Sequence, residues 1–217
     1  MNPSVFFFFI HSVLATIVLG TLFIKRRNDG VFKNFGIALW LDAIAFAIWS
    51  IALINPASVV LSVTIGMLFF LASLVYFMNV FVHRVQEAGS RYFWLVVGIL
   101  GAIGLFCIGR ALAPGHLAYV SPEGLLFFNG APLAQMVHIL ALMLAGLPAI
   151  DLLASKFKSY YSALVRYVFI LEAFGGIILI TSVDYLSLYI TGWIMGLAYL
   201  LLWTTLLFNK KAWAGVS

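Results

Sequence analysis

The sequence predicts an all-α membrane protein: a polytopic bundle of about seven transmembrane helices, with the N-terminus outside and the C-terminus in the cytoplasm. Three observations lead there. Of 217 residues, 65% are hydrophobic and only 9% are charged, with a mean hydropathy of +1.14. Soluble domains carry roughly 25% charged residues, so a surface this poor in charge is suited to lipid rather than water. Seven apolar stretches reach the length of about 20 residues that a bilayer-spanning helix needs. The basic residues also collect on one side of those stretches, as they do in cytoplasmic loops.

The stretches lie at about 4–24, 36–54, 57–82, 92–112, 132–154, 162–183 and 186–208. The first opens on the uncharged Met1, Asn2, Pro3 and Ser4, and Lys25, Arg26 and Arg27 follow it. That order holds the basic cluster inside, sends the N-terminus out, and marks a retained span rather than a cleaved leader. The second and third stretches are separated by a tight turn at Asn55 and Pro56, with Lys33 expected in the loop before the second. Arg84 and Arg91 flank the next inner loop, and Arg110 ends the fourth stretch. The outer loop 113–131 is rich in Gly and Pro, and its alternation around Leu117, Tyr119 and Val120, then Gly124 to Gly130, permits a small β-hairpin or lid. Lys156, Lys158 and Arg166 surround the following inner loop. The last two stretches are divided by the step Ser182, Val183 and Asp184, and Lys210 and Lys211 follow the final one. Of the 12 Lys and Arg, only Arg110 falls outside. A wrong number of spans would scramble this pattern. The whole of 1–217 reads as one transmembrane domain, multi-pass in a cell inner membrane.

Ionisable groups inside spans are costly and therefore candidates for function. They are Asp42, Asp151 and Glu172, with Arg110, Arg166 and Asp184 near span ends. With a rise of 1.5 Å per residue, Asp42 is expected about 9 Å from the inner boundary and Glu172 about 15 Å deep. Arg166 approaches the same inner boundary and is expected to pair with Asp42 or Asp151, because a lone buried carboxylate is strongly unfavourable. Glu172 has no basic residue at its depth, so it is expected to face the bundle interior as a neutral, hydrogen-bonded acid. Gly175 and Gly176 beside it leave room for a helix, a water or a ligand atom.

His11 and His138 fall at about the same depth, 9–10 Å below the outer boundary. Equal depth is the minimum for bis-imidazole haem or a metal, yet two histidines at one level arise readily, and polar packing or ligand contact is the expected role. His83 and His116 do not extend the pair. No Lys occupies the middle of a span, which excludes a retinal Schiff base. The single cysteine, Cys107, excludes an intramolecular disulfide and a cysteine metal cluster. No hydrolase, zinc-protease or P-loop pattern occurs. No enzymatic activity, cofactor, metal or nucleic-acid partner is therefore expected. Glycines at 98, 101 and 104, and the pair Gly192 and Gly196, are spaced for close helix approach within the bundle or between copies in a homo-oligomer.

The run Phe35 to Trp40 opening the second stretch, with Trp49 beyond it, resembles the Trp-bearing second helix in seven-helix sensor regions of bacterial histidine kinases and diguanylate cyclases. The run Pro122 to Pro132, followed by His138, is similar to their loop into the fifth helix. The resemblance is one of pattern and covers most of the chain. It implies a receptor-like, signal-transducing bundle that binds a small ligand or lipid. Those sensors continue into a cytoplasmic effector, whereas this sequence reaches Ser217 a few residues past its last stretch. Output is therefore expected through a separate membrane or cytoplasmic partner protein. His11, His138 and Trp193 are expected to line the outer half, with Arg110 and Glu123 near the lid. Two other readings stand beside it: a small transporter with Glu172 and Asp42 along a proton or cation path, and an accessory subunit of a larger membrane complex. The sensor reading predicts a closed bundle, and the transporter reading predicts a polar path to both faces.

Overall fold

The computed structural model describes residues 3–26, 28–82, 118–128, 146–181 and 185–213. The stretch 92–112, most of 132–154, Arg110, His138 and the side chain of His11 lie outside the described residues. Within them the chain forms helices α1 (Pro3–Ile24), α2 (Gly30–Ile54), α3 (Val59–Val82), α4 (Leu147–Ala154), α5 (Ser159–Thr181) and α6 (Tyr185–Phe208). Strands β1 (Tyr119–Val120) and β2 (Leu126–Phe127) precede α4. Short 3-10 turns cover Pro56–Ser58 and Lys210–Trp213. Among the described residues, three segments are long and apolar enough to cross a membrane: Gly30–Ile54, Pro56–Phe77 and Tyr189–Phe208. The chain is thus a mainly helical, membrane-associated protein.

Helix α2 begins six residues before the expected start, and this corrects two expectations. Asp29 holds an extended backbone and its side chain accepts from the Val31 amide at 2.8 Å, capping the helix. Lys33, expected in a loop, is therefore in the first turn of α2. Asp42, expected near the inner boundary, lies at the middle of a 25-residue helix, about 18 Å from its first residue. The helix ends where the Asn55 amide bonds the Ile51 carbonyl at 2.8 Å and Pro56 begins the turn into α3.

Helices α2 and α3 form an antiparallel hairpin joined at three successive levels. Asn79 Nδ2 donates to Asn34 Oδ1 at 3.0 Å, Ser73 donates to Asp42, and the Trp49 indole lies over Gly66. A Cβ on Gly66 would come within 2.3 Å of Trp49 Nε1, so only glycine accommodates the indole there. Helices α5 and α6 make a second antiparallel pair. Asn209 donates to the Tyr161 hydroxyl at 2.8 Å, Tyr199 faces Glu172, and Met195 fills the space over Gly175. Helix α1 packs against both α2 and α6 and unites the two pairs. Its approach to α2 is close at Gly20 and Gly36, where a Cβ on Gly36 would meet the Gly20 carbonyl and the Ile24 amide nitrogen, each at 2.9 Å.

The small β-hairpin that the sequence permits is present. Tyr119 pairs with Phe127 and Val120 with Leu126, antiparallel. Its turn closes through Gly124 N to Ser121 O at 2.9 Å, with Gly124 at φ 80°, a conformation that favours glycine. Ala118 and Leu125 to Phe128 are buried, and the Phe128 ring meets Trp49 edge-on at 4.8 Å.

The apolar core is divided into two clusters. One surrounds Phe46, Trp49, Leu53, Val63, Met67 and the hairpin, at the Asn55 end. The other surrounds Leu19, Phe23, Phe32, Phe35, Leu153, Phe157, Phe169 and Leu202, at the opposite end. The Lys210–Trp213 turn folds back over this second cluster. Trp213 Nε1 donates to the Leu206 carbonyl at 2.7 Å, and its ring packs on Phe23, Phe32 and Phe157 at 6.1, 6.1 and 5.3 Å.

Candidate functional site: a buried acid layer

Between the two apolar clusters, four helices contribute polar side chains from near their midpoints. Asp42 comes from α2, Ser73 from α3, Glu172 from α5 and Tyr199 from α6. Each faces inward because it continues the buried stripe of its helix. On α2 that stripe runs Asn34, Ala38, Asp42, Ala45 and Trp49, a spacing that keeps one face of a 3.6-residue turn. On α6 it runs Thr191, Met195, Ala198, Tyr199, Leu202 and Leu206. Asp42 is 7% exposed and Glu172 9% exposed.

The Ser73 hydroxyl donates to Asp42 Oδ1. The Tyr199 hydroxyl is the hydrogen-bonding neighbour of the Glu172 carboxyl, and Asp42 lies near enough to both to interact with them electrostatically. Glu172 Oε1 is buried and has no hydrogen-bond partner among the described residues. Neither described ion pair reaches this layer. Chemically, the arrangement offers two carboxyl groups, a phenol and a hydroxyl in a medium where an unpaired charge is strongly disfavoured. Such a group of four can bind a polar atom at the free oxygen. Gly176, about one turn beyond Glu172, has nothing within 4 Å of where a Cβ would stand, whereas Gly175 is occupied by Met195. Of the two glycines expected to leave room beside the acid, Gly175 is filled by Met195, and only Gly176 has no described atom close by.

The other sequence candidates divide as follows. Arg166 pairs with Asp151, Nη2 to Oδ1 at 2.7 Å, as one of its two expected partners. Asp42, the other, is held by Ser73 instead, because it lies deeper than a side chain near the inner boundary reaches. Trp193 stands off the inward stripe of α6 and is 45% exposed, apart from the acid layer. Glu123 is exposed at the hairpin turn, where hydrogen bonds from the Ser121 side chain and its own backbone amide hold its carboxyl below the ordinary range. The structure brings Asp42 and Glu172 together. It adds Ser73 and Tyr199, which the sequence did not single out, since a lone serine or tyrosine in an apolar stretch carries no signal until its neighbour on another helix is known. Asn34 was legible in principle: it lies eight residues from Asp42 on the same helical face.

Searches of protein-family models, of curated proteins and of solved structures find no match to this chain.

Proposed function

We propose that the chain is a membrane sensory or regulatory module: a seven-span, N-out and C-in bundle of a cell inner membrane that binds a small ligand or lipid and acts on a partner protein. The observation that supports this reading is the acid layer enclosed between two apolar clusters. Among the described residues, Trp49, Phe46 and Phe128 lie toward the hairpin, while Phe35, Phe169 and Leu202 lie toward the other end. A polar layer with aromatic packing on both sides suits a closed, switchable bundle better than a conduit. The ligand would enter from the hairpin side, at the level expected for His11 and His138 and near Arg110 and Glu123. Displacement there would reach Asp42 through α2, on which Trp49 and Asp42 share a face. Rearrangement of the hydrogen bonds among Asp42, Ser73, Glu172 and Tyr199 is then the two-state element that partner and ligand both bias.

The second reading, a proton or cation pathway, is favoured by the same two carboxyls. Purified protein in proteoliposomes loaded with a pH-sensitive dye separates the two. The sensor reading expects no proton or sodium flux above that of empty vesicles under an imposed gradient. Gradient-driven flux that Glu172→Gln abolishes would replace it with the transporter reading.

A further inference from the structure

Three chain segments converge at the end of the bundle remote from the hairpin. They are the α1–α2 connection, the α4–α5 connection and the turn after α6. Their meeting is fixed by side chains: Lys156 bridges to Asp29, Phe157 packs on Phe32 at 5.8 Å, and the Arg26 guanidinium sits 3.4 Å from the centre of the Trp213 ring. Each segment also carries exposed lysine. Lys25 and Lys33 flank the first connection, Lys158 ends the second and Lys211 lies in the last turn, all four exposed.

The charge balance at this end is one-sided. Among the described residues its acids are already engaged, Asp29 by Lys156 and Asp151 by Arg166. Arg26 turns inward, donating to the Leu22 carbonyl at 3.0 Å while covering Trp213. No described ion pair takes up Lys25, Lys33, Lys158 or Lys211. Their level along the bundle is fixed as well. The apolar segments Gly30–Ile54 and Tyr189–Phe208 begin and end here, so flexible lysine stems at this height place their ammonium groups where lipid headgroups lie. Tyr160 and Phe208, both highly exposed, stand at the same level, in the manner of aromatic side chains at a membrane interface.

We propose that this end of the bundle is a docking face for anionic phospholipid headgroups, gripped by Lys25, Lys33, Lys158 and Lys211 around the Trp213 turn. Phosphate supplies a negative partner for lysines that no described ion pair takes up, and several lysines on three different segments bind a lipid surface better than a single point contact does. Lipid bound there ties the three segments together from outside, as the aromatic cluster does from within. The inference requires only that the chain resides in a bilayer and is independent of what the bundle senses.

The test uses the purified full chain in nanodiscs of phosphatidylcholine, with and without phosphatidylglycerol. Spin-labelled lipids report which headgroup is enriched at the protein. The expected result is an enrichment of phosphatidylglycerol over phosphatidylcholine on the order of fivefold or more, weakened by raised salt. The combined variant Lys25→Gln, Lys33→Gln, Lys158→Gln and Lys211→Gln should lose most of it. The pair Lys158→Gln and Lys211→Gln alone should lose part, and supplies the reading if the fourfold variant is poorly produced. Equal affinity for both lipids would overturn the proposal, as would a preference that survives the substitutions. Inorganic phosphate competing away the preference at low millimolar concentration would assign the site to a free anion and also overturn it.

Discussion

At the scale of single residues, Glu172 concentrates the physical tension of the molecule. Its carboxyl is buried on a 23-residue helix, faces Tyr199 and leaves Oε1 without a partner among the described residues. A buried polar group left partly unsatisfied costs about 1–3 kcal/mol. Glu172→Gln retains the shape and hydrogen-bonding capacity of the neutral acid. It should leave thermal unfolding in detergent nearly unchanged, whereas Glu172→Ala should lower stability by about 2 kcal/mol through a cavity and an orphaned Tyr199 hydroxyl. Tolerance of Ala together with failure of Gln to fold would contradict this account. Asp42 behaves differently, because Ser73 donates to it.

At the scale of elements, the helix pairs are set by small residues where backbones approach. Gly36 meets the backbone of α1, the Gly20 carbonyl and the Ile24 amide nitrogen, and neither can move away without separating two helices. Gly36→Ala should destabilise by about 1–3 kcal/mol. Gly176 meets nothing within 4 Å, so Gly176→Ala should be neutral or stabilising by up to about 1 kcal/mol through helix propensity. Thermal unfolding of both variants in one detergent checks the contrast, and an equal loss in the two would remove the close approach as its cause. The hairpin obeys a similar logic. Its outward residue Tyr119 stacks on Phe127 at 5.0 Å, while Leu125 to Phe128 turn into the core beside Trp49. It is therefore a plug anchored by buried aromatic and aliphatic side chains rather than a loop lying over the bundle.

At the scale of the whole molecule, two apolar clusters, an acid layer between them and a basic, lysine-rich end define a polarity along the bundle. In a bilayer that polarity translates into orientation, since Lys and Arg are retained on the cytoplasmic side. The Trp213 turn lies at the basic end, so a reporter that works only in the cytoplasm, fused after Ser217, is expected to be active. Activity of a periplasmic reporter at the same junction instead would reverse the proposed topology.

The sequence by itself determined the class of molecule and, among the described residues, the approximate position of its helices. Apolar length and charge poverty are properties of the chain, and lipid imposes helices on such stretches because every backbone group must be satisfied internally. The turn at Asn55 and Pro56, the hairpin around Gly124 and the inward face of Glu172 were readable for the same local reasons. What only the tertiary structure decided is which helices meet and at what level. The start of α2 moved to Gly30 because Asp29 caps it, a hydrogen bond that hydropathy does not register. That shift carried Asp42 from the boundary to the centre and gave Arg166 to Asp151. Ser73 and Tyr199 joined the site through the register of two helical hairpins, and that register comes from close packing at Gly66 and Gly175, where a side chain from one helix fills space left by the other. Periodicity specifies a face of each helix. Only packing specifies its partner.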